Sequence, residues 1–555
     1  MLLSPPAAAD GEIFEDVAAA TGLDFVHFNG MTGELYFPEM TGQGGALLDY
    51  DGDGDLDVYL VQGALMGPGE TMDDALFPFA GEGTPLDRLY RNDAAAGPGG
   101  ATLLRFVDVT GASGLEADGY GMGVAVGDVD GDGFDDLYVT NYGPNQLWRS
   151  RGDGTFEEVA AAAGADDPSW STSAAFVDYD ADGDLDLYVV NYVDFDVAAN
   201  PRCFATSSRR DYCGPSSFSP LADRLLENRG DGTFDDVTRR VLRDYRPGPG
   251  LGVVSGDFNG DSLPDLYVAN DGAPNQMWIN RGDGTFVEEA LFAGTAVNRS
   301  GAPEASMGVA AGDFDLDGDE DLFMTHLMDE SNTLYVNDGA GLFEDRTAAS
   351  GLAAVSLPYT AFGTGWIDYD NDGLPDLVAL NGAVRIQEEL AAAGDPYPLE
   401  QPNQLFHNLG GRFEEVSDRA GEAFTVAEVS RGAAFGDVDN DGDTDILVLN
   451  NNGPARLLLN RAGDGSGWLG VRPLDRAGRR LPGARVALRR ADGRTVTARS
   501  RTDGSYCSAN DPRVVLGLAA AGAETAEVDG LRGGRWRLAG PPERRYLVWY
   551  RSASP

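Results

Sequence analysis

The sequence predicts an all-β protein: a seven-bladed β-propeller over residues 13–462, followed by a small β-rich domain over 467–550. Three observations carry this expectation. An acidic loop recurs seven times, every copy sits in the same order of strand-like segments, and the two ends of the array complement each other. The loop reads D-x-[DN]-x-D-G-x-x-D at 49–57, 128–136, 178–186, 313–321, 368–376 and 437–445, and a variant copy, DFNGDSLPD, stands at 257–265. Its first aspartates are 79, 50, 79, 56, 55 and 69 residues apart, so the unit is blade-sized and some copies carry insertions.

Within a unit the elements follow in order. An apolar run such as GMGVAVG (121–127) precedes the loop and another, LYVTN (137–141), follows it, as buried strands bounded by turn residues do. A third segment reads NQLWRS at 145–150, NQMWIN at 275–280, NQLFHN at 403–408 and ARLLLN at 455–460. A fourth reads GTFEEV at 154–159, GTFDDV at 232–237, GLFEDR at 341–346 and GRFEEV at 411–416. The seventh unit lacks this fourth segment, whereas the chain opens with IFEDV at 13–17, the same motif without a blade. The N-terminal strand is therefore expected to complete the last blade and leave no open edge. Residues 1–12 read as a tail, in which Ala-Ala-Ala-Asp fits the remnant of a small-residue cleavage site.

Charge restricts the partners. With 40 basic residues, all arginine, against 91 acidic ones, the formal net charge is −51. Such a surface repels phosphate backbones and anionic lipid, which excludes nucleic-acid binding as the main function. No run of eighteen apolar residues exists to insert into a membrane. The 75 glycines and 29 prolines are interleaved with aromatic and branched residues, which means turns rather than disorder. Cations are the natural partners of this chain, which is expected to be a monomer.

The loops supply the cation chemistry. Positions 1, 3, 5 and 9 carry Asp49, Asp51, Asp53 and Asp57 in the first, Asp128, Asp130, Asp132 and Asp136 in the second, and Asp178, Asp180, Asp182 and Asp186 in the third. The fourth has Asp257, Asn259, Asp261 and Asp265, with Ser262 where the others have glycine. The fifth has Asp313, Asp315, Asp317 and Asp321, the sixth Asp368, Asp370, Asp372 and Asp376, and the seventh Asp437, Asp439, Asp441 and Asp445. Four side-chain oxygens and the carbonyl of position 7 can converge on one point, which suits Ca²⁺ with its six to eight oxygen ligands, and glycine at position 6 permits the sharp turn. Mg²⁺ demands octahedral geometry and keeps its waters, so the expectation is Ca²⁺, up to seven ions. The plainer alternatives are solvated acidic turns, or ions that only stiffen hairpins.

Other residues suggest a second site. If the first strand of each blade is innermost, the long connections 63–86, 192–222 and 382–402 lie on the face opposite the loops, around the channel mouth. Where the second strands end on that face stand Gln62, Asn141, Asn191, Asn270, His326, Asn381 and Asn450, a ring able to present donors and acceptors to a sugar or peptide, or merely to satisfy turn backbone. Gln43 and Arg431 are the polar members of a set, six residues before the loops, that is otherwise Met122, Thr172, Leu251, Met307 and Phe362. Cys203 and Cys213 flank a nine-residue spacer and read, in an exported protein, as a local disulfide, the alternative being two buried thiols; Cys507 is left over. The location implied is extracellular or periplasmic.

The loops and their flanks resemble the FG-GAP/VCBS repeats of integrin α-chain propellers, and the whole chain resembles the cartilage acidic protein family. Residues 467–550 are similar to that family's C-terminal ASPIC/UnbV domain, with WLGVRPL, LPGARVAL and SYCSANDPRVVLGL in the expected order. The resemblance implies a secreted calcium-binding propeller acting in adhesion, or in recognition of an extracellular protein or glycan. The ASPIC/UnbV name also comes from an enediyne biosynthetic cluster, so a lyase- or cyclase-type enzyme with its site at the channel mouth is the second expectation. No nucleophile elbow, zinc motif or phosphate loop is visible in the sequence.

Overall fold

The computed structural model describes residues 12–97, 102–463, 465–475, 478–530 and 534–550; residues 1–11 of the expected N-terminal tail lie outside them. Each repeat folds as one antiparallel sheet whose first strand lies on the axis. These inner strands are Gly45–Leu48, Gly121–Gly127, Ser171–Val177, Gly250–Gly256, Val309–Gly312, Ala361–Ile367 and Ser430–Gly436, in blades 1 to 7. Each packs against the next and the seventh against the first, so the ring among the described residues is closed. Inner and second strands are buried because both faces meet neighbouring blades, which is why they read as continuous apolar runs rather than as alternation. Phe14–Asp16 pairs antiparallel with Arg456–Asn460 and forms the outer strand of blade 7, and its Phe14 ring lies 5.6 Å from Phe424. Blade 4 has a fifth strand, Leu242–Arg243, parallel to its outer strand.

A hydrogen-bonded belt ties the blades together at the loop end. In every blade the ninth loop residue is a buried aspartate that accepts two backbone N–H groups: Asp57 takes Tyr50 at 3.0 Å and Asn92 at 2.8 Å, and Asp321 takes Phe314 and Asn337 at 2.9 Å each. The second donor is the last residue of the third strand, an asparagine in six blades. Its side chain reaches back to the loop of the preceding blade: Asn228 Nδ2 donates to Val129 O, Asn280 to Tyr179 O, Asn337 to Phe258 O, Asn408 to Phe314 O, Asn460 to Tyr369 O and Asn92 to Val438 O. Blade 2 ends its third strand in Ser150, so the belt has one gap, between blades 1 and 2.

The C-terminal domain is two sheets around their own core of Leu469, Val471, Val486, Leu488, Leu516 and Val528. One sheet joins Gly467–Leu474 to Val514–Ala519 and Tyr546–Tyr550; the other contains Thr495–Arg499, Arg485–Arg490, Ala523–Gly530 and Gly534–Ala539. It sits on the loop face of the ring, and its segment 502–511 threads the central channel, a feature the sequence reading did not anticipate. That segment bonds to the inner strand of every blade. Leu47 N–H donates to Ala509 O, Val124 to Cys507 O, Ser255 to Asp503, Val309 to Ser505 O, Thr364 to the Ser505 hydroxyl and Phe435 to Asn510, while Ser173 Oγ receives the Cys507 N–H. Gly44 is required here, because a Cβ on it would lie 1.8 Å from Cys507 O.

The far mouth of the channel is filled as well. Phe37, Trp170, Tyr192, Phe195, Phe362 and Tyr506 pack there with Met122, Leu251 and Met307. Arg431 is fully buried among them, its guanidinium 4.2 Å over Phe362, and donates to the carbonyls of Met40, Gly382, Ser430 and Ala383. It therefore staples the 36–41 strap to blades 6 and 7. Gln43 is likewise buried.

The belt gives a direct expectation. Asn337→Ala leaves Phe258 O and Glu320 O without their side-chain donor and should cost about 1–3 kcal/mol, whereas Ser150→Asn should close the gap toward Tyr50 O and add about 1 kcal/mol. Chemical unfolding of the two variants, with unchanged cooperativity, reads both signs.

Candidate metal centres

Each loop is a run of tight turns built by its own carboxylates. The fifth-position aspartate accepts the N–H of position 7 in all seven copies, as Asp132 does from Phe134 and Asp317 from Asp319. The first-position aspartate accepts the N–H of position 6, as Asp128 does from Gly133 at 2.9 Å and Asp368 from Gly373 at 2.8 Å. Positions 4 and 6 have positive φ: Gly131 and Gly133 in loop 2, Ala181 and Gly183 in loop 3, Asn440 and Gly442 in loop 7. Ser262 in the fourth loop is held at φ +68°, where a side chain is strained and glycine is not.

These turns aim oxygens inward. Asp49, Asp51 and Asp53 each place one carboxylate oxygen within 4.8 Å of the others, and so do Asp128, Asp130 and Asp136; Asp178, Asp180 and Asp186; Asp313, Asp315 and Asp321; and Asp368, Asp370 and Asp376. Buried oxygens without a hydrogen-bond donor point to a missing positive partner: Oδ1 of Asp130, Asp257, Asp313, Asp368 and Asp439. Burial pushes the Asp57 carboxyl up to about 9 and those of Asp136, Asp186 and Asp321 to about 8. Asp265 and Asp445 also rise well above the ordinary carboxylate range, chiefly by burial, with neighbouring aspartates adding to it. Carboxylates clustered this way ionise together only when a cation neutralises them. The residues fit a divalent ion of high oxygen coordination. Positions 1, 3 and 5 would hold it with position 9, and the ion would supply charge neutralisation.

The fourth loop differs. Asn259 Nδ2 donates to Asp261 at 3.0 Å, so the amide uses a ligand oxygen of its own loop. Elsewhere the amides of position 4 join neighbouring loops: Asn371 to Asp443, and Asn440 to Asp55 at 2.8 Å, from loop 7 to loop 1.

The ring of residues at the other end of the second strands is buried rather than displayed. Gln62, Asn141, Asn191, Asn270, His326, Asn381 and Asn450 are all buried and satisfy backbone and neighbouring side chains. Asn141 donates to Pro144 O, Asn270 to Pro274 O, Asn381 to Pro402 O and Asn191 to Asp167 and Ala222 O; Asn450 joins Glu428 and Pro454 O. Gln62 Oε1 accepts from Phe28, and His326 Nε2 pairs with Ser306 Oγ at 3.1 Å. Turn satisfaction outcompetes display because the long connections fold over these positions instead of leaving the mouth open. What those connections do expose is a hairpin, Cys203–Phe204 with Arg210–Asp211, closed by the Cys203–Cys213 disulfide and carrying the exposed Phe204. Cys507 is a buried free thiol.

With this geometry in view, comparisons with known proteins bear on the repeats. A model described as "FG-GAP-like repeat" matches residues 128–189, 212–268, 257–324 and 313–379. Cartilage acidic protein 1 of Homo sapiens is 27% identical over 284 residues, 48% of this chain and 39% of that protein. The chain thus carries FG-GAP-like repeats and is similar over about half its length to cartilage acidic protein 1. The Xenopus tropicalis cartilage acidic protein 1 is 25% identical over 287 residues, 50% of this chain and 40% of its own, so the chain spans about two fifths of the length of the curated relatives it matches. Among solved structures, an Agrocybe aegerita lectin described for recognition of non-reducing terminal N-acetylglucosamine is 17% identical with a TM-score of 0.35, over 61% of this chain and 80% of its own. The extracellular domain of a hybrid two-component system from B. thetaiotaomicron is 10% identical with a TM-score of 0.36, over 86% and 45%. Likenesses at these TM-scores carry no argument about ligands.

Two outcomes follow for this FG-GAP repeat protein. Ser262→Gly should stabilise it by about 1 kcal/mol in chelator by removing the positive-φ strain, and Asn259→Asp added to it should tighten one class of calcium sites in calorimetry. The second concerns Asp87 and Asp223, which occupy the place of Asn145, Asn275, Asn332 and Asn403 in other blades and are pushed up to about 7 by burial. A carboxyl raised on folding stabilises below its unfolded value of about 4, and this stabilisation is lost as pH rises through 7. The Asp87→Asn and Asp223→Asn double variant should therefore melt higher than wild type at pH 8, with the gap closing toward pH 4.

Proposed function

We propose that the protein is a calcium-loaded recognition scaffold working outside the cytosol, extracellular or periplasmic, whose partner is a protein or a glycan. The observation carrying it is the sevenfold carboxylate loop, with inward oxygens that have no donor and carboxyls that burial pushes above their ordinary range. The Cys203–Cys213 disulfide supports an oxidising location. Among the described residues no helix is long and apolar enough to cross a membrane.

The recognition surface is assigned to the face opposite the loops, at the exposed ends of the long connections. The disulfide hairpin stands there on ion pairs, Arg209 to Glu388 and Arg210 to Glu34, both 3.1 Å. A rigid ring carrying stapled loops is a suitable platform for binding. The lyase or cyclase reading needs an open channel mouth, and the aromatic side chains of Phe37, Trp170, Tyr192 and Tyr506 occupy that position.

Metal-depleted protein should melt at markedly lower temperature than calcium-loaded protein, since each site filled at a hundredfold excess over Kd contributes about 2.7 kcal/mol. Calorimetric titration of the depleted protein tests the metal, and an unchanged melting temperature together with a flat isotherm would overturn the reading. For the partner, pull-down from native envelope or matrix with wild type and with Phe204→Ala plus Arg209→Ala should show loss of the same band while calcium binding stays unchanged.

A further inference from the structure

The C-terminal domain touches the metal loops through their first aspartates, the residues that open each site. Thr497 Oγ1 donates to Asp313 Oδ2 at 2.6 Å, and the other oxygen, Oδ1, is buried without a donor. Tyr546 donates to Asp437 Oδ2 at 2.7 Å. Arg472 lies 3.4 Å from Asp49 Oδ2, and Arg499 3.5 Å from Asp257 Oδ2, where Oδ1 again has no donor. In the loop-5 and loop-4 sites the domain thus holds the outer oxygen of the carboxylate and leaves the inner one free. Trp468 lies against Gly442, the turn glycine of loop 7, and a cavity of about 210 Å³ is lined jointly by Asp313, Asp368 and Asp437 and by Thr497, Arg499 and Arg513.

We propose that Thr497 and Arg499 are positioning residues for the calcium sites of loops 5 and 4, so that ion binding and the seating of the C-terminal domain are one linked equilibrium. This rests on the calcium reading of the loops. The physical cause is orientation. A carboxylate fixed through its outer oxygen presents the inner one without losing rotamer freedom on binding, and outer-sphere partners of this kind typically change metal affinity by about 10–100-fold. Linkage makes the effect reciprocal: an empty loop leaves like charges facing each other under the domain, and the domain loosens. The arginines alone would dock an acidic face without metal. Thr497 is neutral, and its bond orients the Asp313 carboxylate without adding a positive charge.

The test uses the full chain, depleted of metal and titrated with Ca²⁺ alone. Thr497→Val keeps the shape and removes the donor; one class of sites should weaken about tenfold, with the number of sites unchanged, and Thr497→Ser should restore it. In wild type, amide hydrogen exchange across 467–550 should slow on adding Ca²⁺ and quicken in EGTA, together with the loops. A valine variant whose isotherm superimposes on wild type, or an exchange rate in 467–550 indifferent to Ca²⁺ while the loops respond, would overturn the linkage and leave the calcium reading standing. A wild type that binds no Ca²⁺ would overturn both.

Discussion

The ring depends on one carboxylate per blade, the ninth residue of each loop. Its two oxygens accept the N–H of loop position 2 and the N–H that ends the third strand, so it fixes the loop, the second strand and the third strand against one another. The same position-2 residue gives its carbonyl to the next blade's asparagine. A buried charge of this kind is expensive when unpaired and valuable when fully bonded. It does two things at once: it spaces the blades, and it stands at the back of a cluster of further aspartates that must be neutralised.

From that constraint the rest follows. The loops line one face, the charge of seven clusters accumulates there, and the C-terminal domain that covers the face brings arginines: Arg480 to Asp135 at 2.7 Å, and Arg499 and Arg501 to Glu320. Pairing by arginine handles the eighth-position carboxylates of the loops, such as Glu320, which it holds below its ordinary range despite burial. It does not reach the buried Oδ1 atoms of Asp257, Asp313 and Asp368, which have no hydrogen-bond donor. The channel segment 502–511 is the mechanical counterpart, bonding to all seven inner strands and making the domain part of the ring rather than an appendage.

Much of this was legible in the sequence, because local chemistry repeats. The aspartate spacing, the Phe-Glu outer strands and the positive-φ glycines each report a turn or strand that forms from adjacent residues, and Ser262 could be singled out by its departure from glycine. The terminal asparagine of the third strand was also visible, in six of seven copies, yet its role was not, since its acceptor lies in another blade. At the opposite mouth the sequence left both ligand display and turn satisfaction open. Asn191, Asn381 and their equivalents were available for ligand only if the long connections stood clear, and the burial of Phe37 and Trp170 draws those connections inward. Gly44, beside the first inner strand, and Gly123, within the second, are small because Cys507 O approaches them. No sequence period announces a segment that enters the channel from a domain hundreds of residues away.

The central claim is that the carboxylate loops are cation sites on which the ring is built, not solvated turns. The direct measurement is the metal content and position: crystals of protein purified in calcium, with anomalous scattering used to locate the ions. The account requires density inside the loops, between the first and ninth aspartates and beside the free oxygens of Asp313 and Asp368, in most of the seven blades. Loops holding only water in calcium-saturated crystals, with the ring and the C-terminal domain unchanged, would contradict it.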